Sequence, residues 1–336
     1  MHLKELGEER LIKDLGKRFP SKKPNLIKSI GDDCCVVRAS AKKVLLATTD
    51  ILIEGVHFKK AYAAPYLLGR KSISISLSDI AAMGGRPSFC LVSIAMPEDT
   101  LKSYIDELYR GIKDRSSEFG CRVAGGNTAR LPGRVMIGTT VFGTADKGRV
   151  VFRSGAKPGH KIFVTGTLGD SALGLKILGK YGEKALKGPF GKAALKHLDP
   201  VPRIKAGVKL SSKGLVSAMI DVSDGLMLDL KRLCESSGVS AVVEAERLPL
   251  SGELTGFFYS RPKMRTALAL TGGEDYELLF TAPKQASKGI LGLSRELGLK
   301  ITEIGSIAGA GNIAKVRAID SRGAAIVVKR PGFAHF

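Results

Sequence analysis

The apolar runs of this chain keep ending in carboxylates, and each acidic cluster stands beside glycine or a hydroxyl residue rather than beside lysine. The clusters are Gly31-Asp32-Asp33, Thr48-Thr49-Asp50, Leu77-Ser78-Asp79, Asp221-Val222-Ser223-Asp224-Gly225 and Gly272-Gly273-Glu274-Asp275. Each has an ordinary structural reading when taken alone. Gly-Asp is common turn chemistry, Asp79 suits a helix-end hydrogen bond, and Ser and Asp are good helix N-caps. Together these readings explain poorly why so many runs finish in Asp. Several carboxylates converging on one cleft repel one another unless cations lie between them. Mg²⁺ is held by a few carboxylates, waters and substrate phosphates. The pattern therefore predicts a magnesium-nucleotide site assembled from distant segments.

The chain has 336 residues, which predicts about two domains at roughly 150 residues each. A hydrophobic fraction of 44% is too high for disorder. No apolar stretch approaches the roughly 20 residues that span a bilayer, and the first residues carry no signal-like apolar region. The five cysteines (Cys34, Cys35, Cys90, Cys121 and Cys234) have no metal-site spacing and fit buried thiols in a reducing cytoplasm. A formal net charge of +21 raises the question of nucleic acid. The lysines are dispersed, however, and no zinc-finger spacing, RNA-recognition aromatic motif or tryptophan is present. A basic surface that draws in anionic substrates is the better reading.

Periodicity predicts a helix over 4–16, a loop at Ser21-Lys22-Lys23-Pro24-Asn25, and strands over Cys34–Val37 and Val44–Thr48 with Thr48-Thr49-Asp50 closing the second. Leu67 to Ser78 alternates apolar residues with serines as a strand does. The entry at Pro65, the continuation Ile80-Ala81-Ala82-Met83 and the stop at Gly84-Gly85 favour a helix. A strand follows over Phe89–Ala95, an amphipathic helix over Asp99–Gly120, and strands over Cys121–Ala124 and Val135–Gly143, with Gly125-Gly126-Asn127-Thr128 as a glycine turn between them. The pattern restarts near residue 150. The expectation is an α+β fold of two halves: residues 1–150 for dimerisation and Mg-ATP, residues 151–336 completing the nucleotide and substrate site. In the second half strands are expected over Lys161–Thr165, Ala218–Asp221, Val239–Glu244, Ala267–Leu270 and Leu278–Thr281. Helices are expected over Ser171–Leu178, from Pro202, and over Gly225–Ser236, with a surface loop over Tyr181–Ala194.

Arg153 can grip a phosphate through two parallel hydrogen bonds, and glycines at Gly125-Gly126 let backbone approach one. Gly166-Thr167-Leu168-Gly169 has phosphate-loop composition, but the chain has no Gly-x-x-x-x-Gly-Lys-Ser/Thr motif, so an ordinary strand-to-helix turn is the better reading. His57 has no second histidine at a zinc-like spacing. A substrate hydrogen bond or a plain turn residue remain for it.

Taken in order, these segments, with Glu54-Gly55-Val56-His57-Phe58, Arg153-Ser154-Gly155-Ala156-Lys157-Pro158-Gly159, Gly272-Gly273-Glu274-Asp275-Tyr276-Glu277 and the tail Gly332-Phe333-Ala334-His335-Phe336, resemble the thiamine-monophosphate kinase family. That family belongs to the superfamily of aminoimidazole ribonucleotide synthetase and selenophosphate synthetase. The resemblance implies two α/β domains, a homodimer formed through the N-terminal domain, and transfer of the ATP γ-phosphoryl group to thiamine monophosphate with several Mg²⁺ ions. It implies Asp33, Thr48, Thr49, Asp50, Asp79, Asp221 and Asp224 as metal ligands. Tyr109, Gly126, Arg153 and Ser223 would hold ATP, and His57, Glu274 and Phe333 the thiamine part. Phe333 suits a cationic ring. One position departs from the family pattern: Asn127 stands where the family has an aspartate after paired glycines. Its amide oxygen can still ligate a cation and face ATP but brings no charge, which predicts a higher magnesium requirement. The rival readings are a sister synthetase activity of the same superfamily and a catalytically impaired nucleotide- or nucleic-acid-binding protein.

Overall fold

The computed structural model describes residues 2–19, 23–310 and 315–335. Of the predicted Ser21–Asn25 loop, Ser21 and Lys22 lie outside the described residues, as does Phe336 of the tail.

Helices α1 (Leu3–Leu6) and α2 (Glu8–Arg18) precede a six-stranded sheet. Its strands are β1 (Leu26–Lys28), β2 (Cys35–Arg38), β3 (Lys43–Ile53), β4 (Arg86–Met96), β5 (Arg122–Arg130) and β6 (Met136–Asp146), in the order β1-β2-β3-β6-β4-β5. All neighbours are antiparallel except β4 and β5. Two helices interrupt the strands, α3 (Pro65–Ala82) and α4 (Lys102–Glu118). Alternation along β3 sends Val44, Leu46, Thr48 and Leu52 inward and leaves Thr49 and Ile51 on the outer face.

Helix α3 is the structural centre. Pro65 occupies its first turn, where a missing N–H costs nothing, and the left-handed Gly84 follows its end. It is buried on nearly all sides, as an apolar helix without a single polar face must be. It packs on β3, β6 and α4 of its own half and reaches across to the second half. Close approach needs glycine: a Cβ at Gly69 would lie 2.0 Å from the Leu108 carbonyl oxygen of α4, and one at Gly111 2.0 Å from that of Tyr66.

The second sheet has seven strands: β7 (Lys161–Thr165), β8 (Ala218–Asp221), β9 (Val239–Glu244), β10 (Leu278–Ala282), β11 (Ile301–Ala310), β12 (Val316–Ile319) and β13 (Ala325–Ile326). Their order is β13-β12-β9-β11-β7-β10-β8. Between them run α5 (Asp170–Tyr181), α6 (Gly191–Leu198), α7 (Ile204–Ser212), α8 (Leu226–Ser237), α9 (Gly252–Phe257), α10 (Pro262–Thr271) and α11 (Ser287–Leu297). Helices α7, α6 and strand β8 touch α3. An ionic cluster pins the halves together: the Arg70 Nε of α3 donates to both Asp199 oxygens at 2.9 and 3.0 Å, and Arg115 of α4 donates to the same carboxylate.

Four expectations are corrected. Thr48-Thr49-Asp50 sits in the middle of β3, which continues to Ile53. The polar triplet breaks the apolar pattern without breaking the strand. Gly125-Gly126-Asn127-Thr128 lies inside the exposed edge strand β5 rather than in a turn. There a Cβ at Gly126 would lie 1.8 Å from the Val92 carbonyl oxygen, so the glycine serves strand contact. Tyr181–Ala194 is a short 3₁₀ turn followed by α6, whose Ala193, Ala194 and Leu198 are buried. Ala267–Leu270 belongs to α10, started by Pro262. A four-residue apolar run does not by itself separate strand from helix.

Candidate active site

Three carboxylates from three segments meet between the sheets. Asp33 comes from the turn before β2, Asp79 from the last turn of α3, and Asp221 from the end of β8. One oxygen of each lies within 4.8 Å of the others. Each is held by a neighbour. The Thr48 hydroxyl donates to Asp79 Oδ2 at 2.5 Å, and the Ser78 hydroxyl to Asp221 Oδ2 at 2.6 Å. Arg153 donates to Asp33 Oδ1 through Nε at 3.1 Å and Nη2 at 2.5 Å. Asp50 stands beside them, with the Ser76 hydroxyl donating to its Oδ2 at 2.6 Å.

Burial pushes all four carboxyls above the usual carboxylate range. Asp79 and Asp221 are pushed well above it, and at Asp79 the charges of Asp50, Asp221 and Asp33 add their repulsion to desolvation. Arg153, and after it Arg232, answers this charge at Asp33, and among the described residues Asp33 Oδ2 is buried without a hydrogen-bond partner. Clustered oxygens, mutual repulsion and an orphaned carboxylate oxygen fit divalent cations of the Mg²⁺ type.

The Asp221–Gly225 turn is braced from α8. One Asp229 oxygen accepts the backbone N–H groups of Ser223, Asp224 and Gly225 at 3.0–3.1 Å. Ser223 and Asp224 therefore do not cap the helix; Gly225 holds the N-cap position, without a side-chain bond. Arg232 donates to Asp224 at 2.6 Å and to Asp229 at 2.8 Å. Burial and the charge of Asp224 push Asp229 up to about 7.

A cavity of about 710 Å³ opens next to the carboxylates. Asp50, Ser223, Asp224, His57, Glu274 and Phe333 are among the residues that line it. Glu274 sits at φ 63°, a left-handed conformation uncommon for a residue with a Cβ. Its N–H donates to the Ser223 carbonyl at 2.6 Å, and the Tyr276 N–H to that of Val222 at 2.8 Å, so the two segments are locked together. The tail returns over the same turn, with the Phe333 N–H donating to the Asp224 carbonyl at 2.9 Å. His57 accepts the Ile53 N–H on Nδ1 at 3.0 Å and meets His335 edge-on at 5.2 Å.

Two domain models of AIR synthase related proteins match the chain, the N-terminal one over residues 31–145 and the C-terminal one over 157–316. The chain is similar to the thiamine-monophosphate kinase of Aquifex aeolicus, with 43% identity over 286 residues covering 85% of this chain and 89% of that protein. It is 36% identical to the Escherichia coli thiamine-monophosphate kinase, covering 90% of each. The chain belongs to the thiamine-monophosphate kinase family. A solved structure, AaThiL complexed with AMPPCP and TMP, matches with a TM-score of 0.86 at 37% identity, covering 100% of this chain and 99% of that one.

As a thiamine-monophosphate kinase family member, the chain gathers most of the predicted residues at one place. Asp33, Thr48, Asp50, Asp79, Arg153 and Asp221 surround the carboxylate cluster, while Thr49, His57, Ser223, Asp224, Glu274 and Phe333 line the cavity. Gly126, Asn127 and Tyr109 are not among the residues at either place. Strand register puts Gly126 in the same row as Asp50, three strands away, a span of about 14 Å. Asn127 is exposed, and its amide oxygen accepts the Thr128 N–H at 3.0 Å. Tyr109 of α4 packs against the hydrophobic core.

Sequence reading missed Ser76, Ser78, Asp229, Arg232, Lys71 and His197. The serines carried a signal, since Ser72-x-Ser74-x-Ser76-x-Ser78 is dense hydroxyl content for a buried helix. Lys71 and His197 carried none: in so basic a chain they look like surface residues, and both are buried.

Proposed function

We propose that this chain transfers the γ-phosphoryl group of ATP to thiamine monophosphate, giving thiamine diphosphate. The observation that carries the reading is the three-carboxylate cluster beside a cavity walled by His57, Glu274 and Phe333. Likeness along the whole chain to a kinase complexed with AMPPCP and TMP supports it. AMPPCP is an ATP analogue whose terminal phosphate cannot be transferred, and we read TMP as thiamine monophosphate.

Mg²⁺ ions are assigned to Asp33, Asp79 and Asp221, with Thr48, Thr49, Asp50 and Asp224 at the margins and Asn127 on the far strand. When bound, they neutralise phosphate charge and orient the transferring group. The protein's own residues supply position. Ser76, Ser78 and Thr48 fix their carboxylates, and Arg153 holds Asp33 while offering guanidinium to phosphate. Phe333 gives an apolar face to the thiamine rings, and Ser223, Gly126 and Tyr109 are assigned to ATP. The acceptor is already a phosphate, so no strong general base is required. Attack is direct and in line, without a phospho-enzyme.

A cytoplasmic homodimer, each chain made of domains over 1–150 and 151–336, completes the reading. The outer face of the first sheet carries Ile51, Phe89, Leu91 and Val123 substantially exposed, with Phe89 stacked on Phe142 at 4.8 Å. An apolar face of this kind suits burial against a second copy. The cavity runs onto it through Thr49, Ser93 and Thr140. Light scattering should return twice the chain mass, and a monomer at micromolar concentration removes this part.

The acceptor panel is thiamine monophosphate, thiamine and aminoimidazole ribonucleotide precursors, each with ATP and saturating Mg²⁺. Turnover with the monophosphate alone supports the kinase, and turnover only with another acceptor overturns it.

A further inference from the structure

At the cavity wall Glu274 is held by two buried side chains, Lys71 and His197, to which the reaction described above gives no part. Lys71 of α3 is 2% exposed, and its Nζ lies 2.9 Å from Glu274 Oε1. His197 of α6 is 1% exposed, and its Nδ1 lies 3.2 Å from Glu274 Oε2. The two oxygens of one carboxylate are thus engaged by side chains from different halves of the molecule, one cationic and one imidazole. The Ser171 hydroxyl lies 3.0 Å from the same Nδ1. Glu274 keeps a quarter of its side chain exposed and lines the cavity.

We propose that Lys71 and His197 are positioning residues that hold the Glu274 carboxylate at the cavity wall for the thiamine part of the acceptor. Glu274 sits in a left-handed conformation that its neighbours must enforce. A free glutamate there has several rotamers, and an ammonium at 2.9 Å with an imidazole at 3.2 Å selects one of them. Burial pushes the carboxyl up, but the Lys71 ammonium, ahead of His197 and His57, outweighs it and keeps Glu274 below the usual range. Burial and Lys71 push His197 down to about 3, so it is neutral. A carboxylate only accepts, so a proton on Nδ1 is the tautomer that lets this neutral imidazole face Glu274 favourably. Among the described residues, the buried Lys71 ammonium has no hydrogen-bond partner; the ion pair with Glu274 at 2.9 Å is what justifies its burial. The titratable groups facing Glu274 are Lys71 of α3, His197 of α6, His57 and Tyr62 from the segment between β3 and α3, and Tyr276 beside it.

The inference rests on the kinase reading, and the test separates the two. Lys71→Met should raise the KM for thiamine monophosphate about tenfold or more, leaving the KM for ATP and kcat within about twofold, the signature of lost substrate binding. That KM should also worsen further as pH falls, because Glu274 now takes up a proton more readily. Lys71→Arg should recover most of the loss. If Lys71→Met does not fold, His197→Leu against His197→Gln makes the same comparison, since glutamine can still donate. Unchanged KM and pH profile, or equal rises in both KM values, overturn the inference while leaving the kinase intact. A wild-type protein inert toward thiamine monophosphate overturns the kinase reading instead. In that case the ¹³C carboxyl resonance of Glu274, assigned by its absence in Glu274→Gln, decides. A titration moved upward by about one unit or more in the Lys71 variant, or in His197→Leu if that is the variant that folds, supports the role. An unmoved one ends it.

Discussion

The Ser78 hydroxyl of α3 donates to Asp221 Oδ2 at the end of β8 across 2.6 Å, so one hydrogen bond joins the first half of the molecule to a carboxylate of the second. The cluster of Asp33, Asp79 and Asp221 exists only while the halves stay in register. Ser78→Ala removes this link and leaves a buried carboxylate short of a donor. The expected cost is about 1–3 kcal/mol of stability, with turnover down about tenfold as the carboxylate loses its orientation. Urea denaturation and initial rates check both. Full activity in the variant contradicts the positioning role.

Asp79→Asn separates stability from function. Desolvation and the charges of Asp50, Asp221 and Asp33 all raise the Asp79 carboxyl. The folded protein therefore binds this proton more tightly than the unfolded chain, and stability falls as pH rises above the ordinary Asp range. Without Mg²⁺ the variant should be more stable than the wild type at pH 8, by about 1–3 kcal/mol, and should lose less stability between pH 5 and 8. Its activity should fall at least about a hundredfold. Calorimetry in chelator, repeated with Mg²⁺, gives the result, since Mg²⁺ should stabilise the wild type more than the variant. A destabilised metal-free variant contradicts the repulsion account.

Asn127→Asp restores the charge that the family pattern carries. The half-saturating Mg²⁺ concentration should fall about threefold to tenfold, because a carboxylate is a far better Mg²⁺ ligand than an amide. Magnesium titrations of initial rate at saturating ATP check it. Coincident curves mean that this position on the edge strand does not bear on metal binding.

His197 gives a second pH dependence of opposite sign. Its imidazole is held at about 3 by burial and Lys71, against an ordinary value near 6.5. The unfolded chain takes up this proton first, so the stability it provides is full above about pH 6.5 and is lost as pH falls toward 3. Between pH 7 and 4.5 the wild type should lose about 2–3 kcal/mol that His197→Gln does not lose. Denaturation curves at the two pH values measure the difference. Equal losses would mean that the buried imidazole is not neutral.

The acidic pattern made much of the site legible. Asp beside glycine or hydroxyl, repeated far apart in sequence, pointed to convergence, and Asp33, Asp79 and Asp221 do meet. Helix α3 was legible from Pro65 and Gly84 despite its alternating serines, of which Ser76 and Ser78 donate to carboxylates of the two halves. What stayed hidden depends on three dimensions. Nothing in Lys71 or His197 distinguishes them from other basic residues until burial is known. Asp229 looks like an ordinary helix residue, and only geometry shows it gathering three backbone N–H groups. The placement of Thr48-Thr49-Asp50 at a strand end failed because polar residues on a long strand crossing the middle of a sheet resemble a terminus.

The central claim is phosphoryl transfer to thiamine monophosphate, and γ-³²P-labelled ATP tests it most directly. Purified protein, thiamine monophosphate and Mg²⁺ are incubated with the label, and products are separated by chromatography. The account predicts label in thiamine diphosphate in step with ADP release, none on the protein when the acceptor is omitted, and at least about a hundredfold less in product with Asp79→Asn. Label retained on the protein, or ADP formed without thiamine diphosphate, would contradict it.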